Sequence, residues 1–209
     1  MTGIVAQNVG RTSGLIKAAA GGGGAWTLIK TLTSGGSDDD LSFLNGTDDV
    51  VLDDTYPIYR FSFINIHPET DGVDFEFQAD TGTNTSYNQT ITSTTFRATH
   101  DEADSSTGLD YRTGEDQAQG TAFQDLNIGM GNDNDQCLNG HLHIFAPSDT
   151  TFVKHFMARI ASPKDNDYHV DMFIAGYFNT TTALTRFKFK MSGGQIQGGK
   201  IKLYGLSDS

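Results

Sequence analysis

Apolar and polar residues alternate with a period of two along much of this chain, and this alternation constrains the fold more than any other feature. In the stretch 73–78, Val73, Phe75 and Phe77 are separated by acidic or amide residues. Successive side chains of a β-strand point to opposite faces, so such a stretch buries one face and exposes the other. The pattern therefore predicts half-buried antiparallel strands.

Seven further stretches show strand-like apolar patterning, and turn-forming Gly, Asn, Asp and Thr residues lie between them. Strands at this spacing, joined by loops too polar for helices, predict an all-β fold, either a two-sheet sandwich or a barrel. The stretches are 26–33, 58–66, 140–145, 151–160, 170–178, 184–191 and 200–205.

Two local patterns carry further expectations. Residues 113–116 (Thr-Gly-Glu-Asp) resemble a helix capping box, and Ala118, Ala122, Phe123 and Leu126 follow near helical spacing, so one helix is predicted here. Paired glycines on either side of residues 195–197 predict a hairpin turn that leads into the last strand.

The first 24 residues differ from the rest of the chain. Two short apolar clusters, containing Ile4 and Val5 and then Leu15 and Ile16, precede the four glycines at 21–24. Glycine runs are flexible, and a purely solvating tail would carry few aliphatic residues. We expect an N-terminal attachment arm with a glycine hinge at 1–24, in preference to a disordered tail, and a β-sandwich domain at 25–209.

The charge of the chain excludes several partner classes. Its formal net charge is −12, with 14 basic against 26 acidic residues. Nucleic-acid binding needs clustered basic residues, and an anionic membrane would repel this protein. No apolar run approaches the ~20 residues that span a bilayer. The sequence therefore predicts neither a nucleic acid nor a membrane as partner, and its single Cys137 excludes an intrachain disulfide.

The sharpest candidate for chemistry is the pair His141 and His143, two residues apart on a predicted strand and so on one face. Metal-binding jelly rolls of the cupin kind use such a pair with a Glu and a further His. Residues 146–149 supply no Glu, and nothing in the spacing points to His155 or His169 as the further ligand. We therefore favour histidines on an amphipathic strand over a metal site.

Asp133 and Asp135 lie in an oxygen-rich run, 132–135, of a kind that binds Ca²⁺. The run lacks the Gly and Glu of an EF-hand loop, and Asp and Asn are common turn residues. A structural calcium is the alternative to a plain turn, and no other cofactor is predicted. With no nucleophile elbow and no phosphate loop, we predict no catalytic site.

Loop aromatic residues are the remaining candidates for ligand binding. They could stack on the sugar rings of a host-surface glycan, although packing at the rim of the core explains them better. These residues are Tyr87, Tyr111, Tyr168 and Tyr177.

Several segments together resemble a known group of proteins. Residues 3–11 and 13–17 resemble the leader of small virion proteins from tailed bacteriophages of aquatic bacteria, and 194–205 resembles their final strands. Residues 63–68 and 131–135 are similar to segments between them. The resemblance implies a jelly-roll-like sandwich on the virion surface, made in the host cytoplasm and attached through the arm.

These observations favour a non-enzymatic virion structural protein, tail-associated or part of a fibre. The alternative is a capsid decoration protein on the head lattice, and a third class is a carbohydrate-binding or cupin-like metal protein. Ordering an extended arm costs about 1–2 kcal/mol per residue, which burial of its few aliphatic side chains barely offsets. We therefore expect several arms in a homo-oligomer, with a trimer favoured, bound to other virion proteins.

Overall fold

The computed structural model describes residues 26–208, and these form an all-β fold. The predicted arm, with Ile4, Val5, Leu15 and Ile16, lies outside the described residues. Residues 26–208 contain no helix long and apolar enough to cross a membrane. The strands of this part of the chain are β1 (Trp26–Thr33), β2 (Leu41–Leu44), β3 (Ile58–Pro68), β4 (Phe75–Thr81), β5 (Ile91–Asp101), β6 (Thr107–Tyr111), β7 (Ala118–Gly120), β8 (Gln124–Asp125), β9 (Leu138–Phe145), β10 (Lys154–Pro163), β11 (Tyr168–Phe178), β12 (Leu184–Met191) and β13 (Ile196–Leu206).

The strands form two antiparallel sheets. The large sheet has the order β1-β13-β3-β9-β10-β11-β5-β6, with β7 also paired to β5, and the small sheet has the order β2-β12-β4-β8. Eight of these strands pair as an antiparallel ribbon, β1 with β13, β2 with β12, β3 with β9 and β4 with β8. The ribbon closes on itself where β13 meets β3 and β12 meets β4. This order is that of a jelly roll, so the predicted fold class is confirmed.

Two insertions enlarge one sheet only. Strands β5 to β7 lie between β4 and β8 in the chain, and β10 and β11 lie between β9 and β12. Both insertions add to the large sheet beyond β9, in the order β10, β11, β5, β6. The large sheet therefore extends well past the four strands of the small sheet.

The core between the sheets is built from phenylalanine rings. Phe189 lies at its centre, with ring centroids 5.0 Å from Phe61 and 5.4 Å from Phe63. Phe75 and Phe77 stack on it at 6.0 and 6.2 Å. All five side chains are buried. The alternating aromatic residues of β3, β4 and β12 thus meet in the interior, as their period of two predicts.

The predicted helix near 113–126 is wrong. This segment forms turns and the short strands β7 and β8, and Gln119 has a positive φ of 55° that an α-helix does not allow. The amide side chain of Gln124 donates hydrogen bonds to the carbonyl oxygens of Glu115 and Asp125. Burial of Leu126 and these side-chain bonds to the backbone outweigh a weak helical pattern.

Two other expectations need correction. The glycines around 195–197 do not form a hairpin turn, because β12 and β13 belong to different sheets. Gly199 lies within β13 at a φ of 108°, where a Cβ atom would lie 2.5 Å from the carbonyl oxygen of Asn65. Strand β4 is buried on both faces rather than one, since Glu76, Gln78 and Asp80 are also buried.

Candidate functional site

The outer face of the small sheet is covered by the protein's own loops. Gln78 on β4 donates its amide hydrogens to the carbonyl oxygens of Gln89 and Ala122 at 3.0 and 2.9 Å. Asp80 accepts hydrogen bonds from the backbone N–H of Tyr87 and from the Gln89 amide. These bonds hold segments 84–90 and 121–123 over the strand. The polar residues of β4 are therefore buried and satisfied.

Lysines and carboxylates occupy the rest of this covered face. Lys190 contacts the carboxylate of Glu76 and lies 4.7 Å from the centroid of the Phe123 ring. Asp125 is paired with Glu76 across β4 and β8. Burial, and then the charges of Asp74 and Glu76, raises the pKa of Asp125 to about 7. No sequence pattern singled out this group, because its members are brought together by the pairing of β12 and β8 with β4.

No segment of residues 26–208 covers the outer face of the large sheet across its extension. We call the outward side chains of β9, β10, β11, β5 and β6 the histidine face. Alternation along the strands places five of the six histidines of the chain on it. Its outward residues include His100, His141, His143, His155, His169, Phe96, Leu109, Tyr111, Phe145, Met157, Arg159, Asp171, Phe173, Tyr177, and the small residues Ala98, Ala161 and Ala175.

Cross-strand pairs order this face into rows. In one row His141 is paired with Arg159, Arg159 with Phe173, Phe173 with Phe96, and Phe96 with Tyr111. The guanidinium carbon of Arg159 lies 4.8 Å from the Phe173 ring centroid. The Phe173 and Phe96 rings stack at 4.8 Å with an angle of 1° between their planes. Such pairs stabilise a sheet, and here Phe173, Phe96 and Tyr111 also form an apolar row beside the cation of Arg159.

Four of the seven exposed large apolar side chains of residues 26–208 lie on the same face. Met157 is 55% exposed, Phe96 43%, Tyr111 51% and Leu109 76%. Scattered exposed apolar residues are ordinary, but a contiguous patch marks an interaction surface. Shallow depressions between the side chains are lined by Thr94, Phe96, Met157, Phe173 and Ala175, and next to them by Phe145, His155 and Tyr177.

His141 and His143 lie side by side on this face and point away from the sandwich interior. Their ring centroids are 4.9 Å apart. Burial, and then His141 and Arg60, lowers the pKa of His143 to about 4. Burial, followed by Arg60 and Arg159, also lowers the pKa of His141. Both imidazoles are therefore neutral at neutral pH.

The structure does not combine these histidines with further ligands. His155 lies beside Tyr177, with centroids 5.7 Å apart, and His169 is paired with His100 across β11 and β5. Among residues 26–208, no three His, Cys, Asp or Glu side chains are grouped closely enough to hold a metal ion.

Asp133 and Asp135 lie in an exposed turn before β9. The Asp133 carbonyl accepts a hydrogen bond from the backbone N–H of Gln136 at 2.9 Å and contacts Nε2 of His67 at 3.1 Å. The contacts of Asp133 are those of a closed turn, as the preference of Asp and Asn for turns predicts.

The four tyrosines separate into two groups. Tyr87 is buried on the covered face, with Nζ of Lys188 4.6 Å from its ring centroid, and Tyr168 is half-buried against the core. Tyr111 and Tyr177 are on the histidine face. Core or rim packing therefore explains the first two, as the sequence favoured, and only the second two face outward.

No protein-family model, no curated protein and no solved structure matches this chain.

Proposed function

We propose that this protein is a non-enzymatic structural component of a bacteriophage particle, associated with the tail. In this proposal the N-terminal arm attaches the protein to other virion proteins and the jelly roll is exposed at the virion surface. The observation that carries the structural role is the contrast between a sheet face covered by the chain's own loops and a broad apolar face that no described segment covers.

The histidine face supports a binding role because of its size and composition. It extends over five strands, carries stacked aromatic rings and exposed Met157 and Leu109, and has few charges. Apolar faces of this extent mark contacts with other macromolecules. The net charge of −12 lies mostly on the rest of the surface, which therefore stays well hydrated.

The junction of arm and jelly roll also supports the proposal. The arm joins the described chain at Trp26, the first residue of β1, whose ring lies 5.6 Å from His143. The guanidinium carbon of Arg60 lies 4.7 Å from the centroid of the same indole ring. Trp26 thus packs against the large sheet, so the arm that precedes it in the sequence is joined to the sandwich at a fixed point.

The test is to locate the chain in the intact particle by cryo-electron microscopy. Density at the tail in a small symmetric set would support the tail assignment. Density repeated over the capsid lattice would make the protein a head decoration protein, the alternative expected from the sequence. Absence from the particle would contradict both structural roles.

A truncation tests the role of the arm. We expect a variant lacking residues 1–24 to keep its thermal unfolding transition but to be lost from purified particles. A shorter deletion of residues 2–12 removes Ile4 and Val5 but retains Leu15, Ile16 and the glycine hinge, and it should reduce incorporation less than the full deletion. Loss of folding on truncation, or normal incorporation of the truncated chain, would contradict attachment through the arm.

A further inference from the structure

We propose that the histidine face is the contact surface for a second copy of this chain, and that acidification separates the two copies. The inference rests on the structural role proposed above and specifies one partner of that role. It is carried by the charge of the face, its area, the shape of its surface and its histidine content.

Charge favours a second copy at this place. Two chains of net charge −12 repel each other over most of their surfaces. Within the five strands of the face, the outward residues include one carboxylate, Asp171, and its Oδ2 is 2.7 Å from Nη2 of Arg159. Contact through this face therefore brings two copies together over a surface with few carboxylates, with Asp104 and Asp116 at its edge.

The area of the face fits a stable pair. At about 4.8 Å between strands and roughly 3.3 Å per residue, the five strands present a face of about 700 Å². Specific interfaces bury about 800 Å² on each partner. A twofold axis lets the same patch serve both copies, which is the commonest arrangement of homo-oligomers. The trimer expected from the sequence depends on arms bound to other virion proteins, so the free chain should form this pair alone.

The shape of the face, with large and small side chains alternating along its strands, suits the packing of one sheet on another. Small residues, Ala175 and Ala98, alternate along the strands with the large side chains of Phe173 and Phe96. Met157 rises beside the depression lined by Thr94 and Ala175. Two sheets packed about 10 Å apart interdigitate such large and small side chains, as in the core of a sandwich.

The histidines make this contact sensitive to acid. His100 and His169 are directly opposite each other across β5 and β11, and His141 and His143 are in ring contact on β9. Pairing by a twofold axis would place ten imidazoles in one layer with little water. Histidine is the side chain that gains charge between about pH 8 and 5, so acid would add positive charge to this layer, although not at His143, whose pKa is lowered to about 4.

Most charged neighbours of the histidines do not offset that charge, and the exceptions are the carboxylates of Asp101 and Asp104 beside His100. Arg60 and Arg159 are beside His141 and His143, and both are cations. Asp104 lies 3.4 Å from Nε2 of His100, and Asp171 is committed to Arg159. His155 faces the ring of Tyr177 and no carboxylate pairs with it across β10 and β11.

The experiment is sedimentation velocity of the full chain from micromolar to submillimolar concentration. At about pH 7.5 we expect the mass of two chains, against 22.6 kDa for one, and at about pH 5 the mass of one. Met157→Asp should give single chains at both pH values. The matched control is Phe152→Asp, which changes an even more exposed apolar residue outside the face, 69% against 55%, and should still pair. Circular dichroism checks that each variant is folded.

A second variant tests the histidines. The double substitution His100→Asn and His169→Asn should keep the pair together further into acid, which shifts the midpoint of dissociation to lower pH. An unshifted midpoint would contradict control by these histidines.

Other outcomes would overturn the proposal. Single chains of the wild type at every concentration would exclude a second copy as partner, and pairing that Met157→Asp leaves intact would exclude this face. Pairing that appears only after deletion of residues 1–24 would assign the face to the arm. None of these results bears on whether the chain is in the particle, so the proposed function would stand or fall on its own test.

Discussion

The two sheets of this jelly roll treat their outer faces in opposite ways. On the small sheet, the chain lays its own loops over β4 and satisfies Gln78 and Asp80 there. On the extension of the large sheet, aromatic and aliphatic side chains such as Phe96 and Met157 stay in contact with solvent. Within residues 26–208, loops cover one face and no segment covers the other, and the proposed partner contact rests on this contrast.

The two faces should differ most in how they respond to loss of a carboxylate. Asp80→Ala leaves the N–H groups of Tyr87 and Thr81 and the Gln89 amide without their acceptor. Buried polar groups without partners are costly, so we expect the free energy of unfolding to fall by about 3 kcal/mol. The matched change Asp171→Ala removes an exposed ion pair and should cost at most about 1 kcal/mol. Urea unfolding of both variants measures the contrast, and equal losses would contradict it.

Asp125 on the covered face should make the folded protein more stable at lower pH. The pKa of Asp125 is raised to about 7, mainly by burial, against an ordinary value near 4 in the unfolded chain. The folded state thus binds more protons between these values, and stability falls as pH rises from about 4 to about 7. Asp125→Asn should remove this dependence and raise the free energy of unfolding at about pH 8 by about 2 kcal/mol, after allowance for solvent screening. Urea unfolding at a series of pH values tests this, and an unchanged slope would contradict it.

The histidine face should show the opposite, weaker pH dependence. The pKa of His143 is lowered to about 4, first by burial, against about 6.5 in the unfolded chain. The unfolded state then binds more protons, so this contribution to stability is present above about pH 6.5 and lost as pH falls towards 4. His143→Gln should flatten that loss. Unfolding is followed at dilutions below self-association, and a steeper loss in the variant would contradict the assignment.

The smallest effect on stability is expected at the edge of the histidine face. Leu109→Ser changes an apolar side chain that is 76% exposed on β6, and we expect the free energy of unfolding to change by at most about 0.5 kcal/mol. Thermal unfolding of the variant beside the wild type measures this. A large loss would show that Leu109 packs within the fold and is not part of a free surface.

The sequence predicted the fold class because apolar and polar residues alternate in β3, β4, β12 and β13. Strand β5 was missed since its Thr-rich sequence has few apolar residues, although Thr is a good strand former. The prediction of a helix at 113–126 is wrong because side-chain hydrogen bonds to the backbone hold this segment in turns. Such bonds, including those of Gln124, leave no periodic pattern in the sequence.

The candidate site was only partly predictable for a related reason. The spacing of His141 and His143 showed that they share a face. The meeting of His100 with His169, and of Phe96 with Phe173, depends on β5 pairing with β11, which no local pattern encodes. The arm residues remain a prediction, since they lie outside the described part of the chain.

The pairing of β1 with β13 has a consequence for how the protein reaches its native state. Trp26 is opposite Leu206, so the large sheet cannot complete this edge until the last strand of the described chain has left the ribosome. Pairings over such a sequence distance slow folding, and β1 stays an unpaired, aggregation-prone strand in the meantime. Refolding from denaturant should therefore be slow and concentration-sensitive, with the β1–β13 edge among the last parts to form.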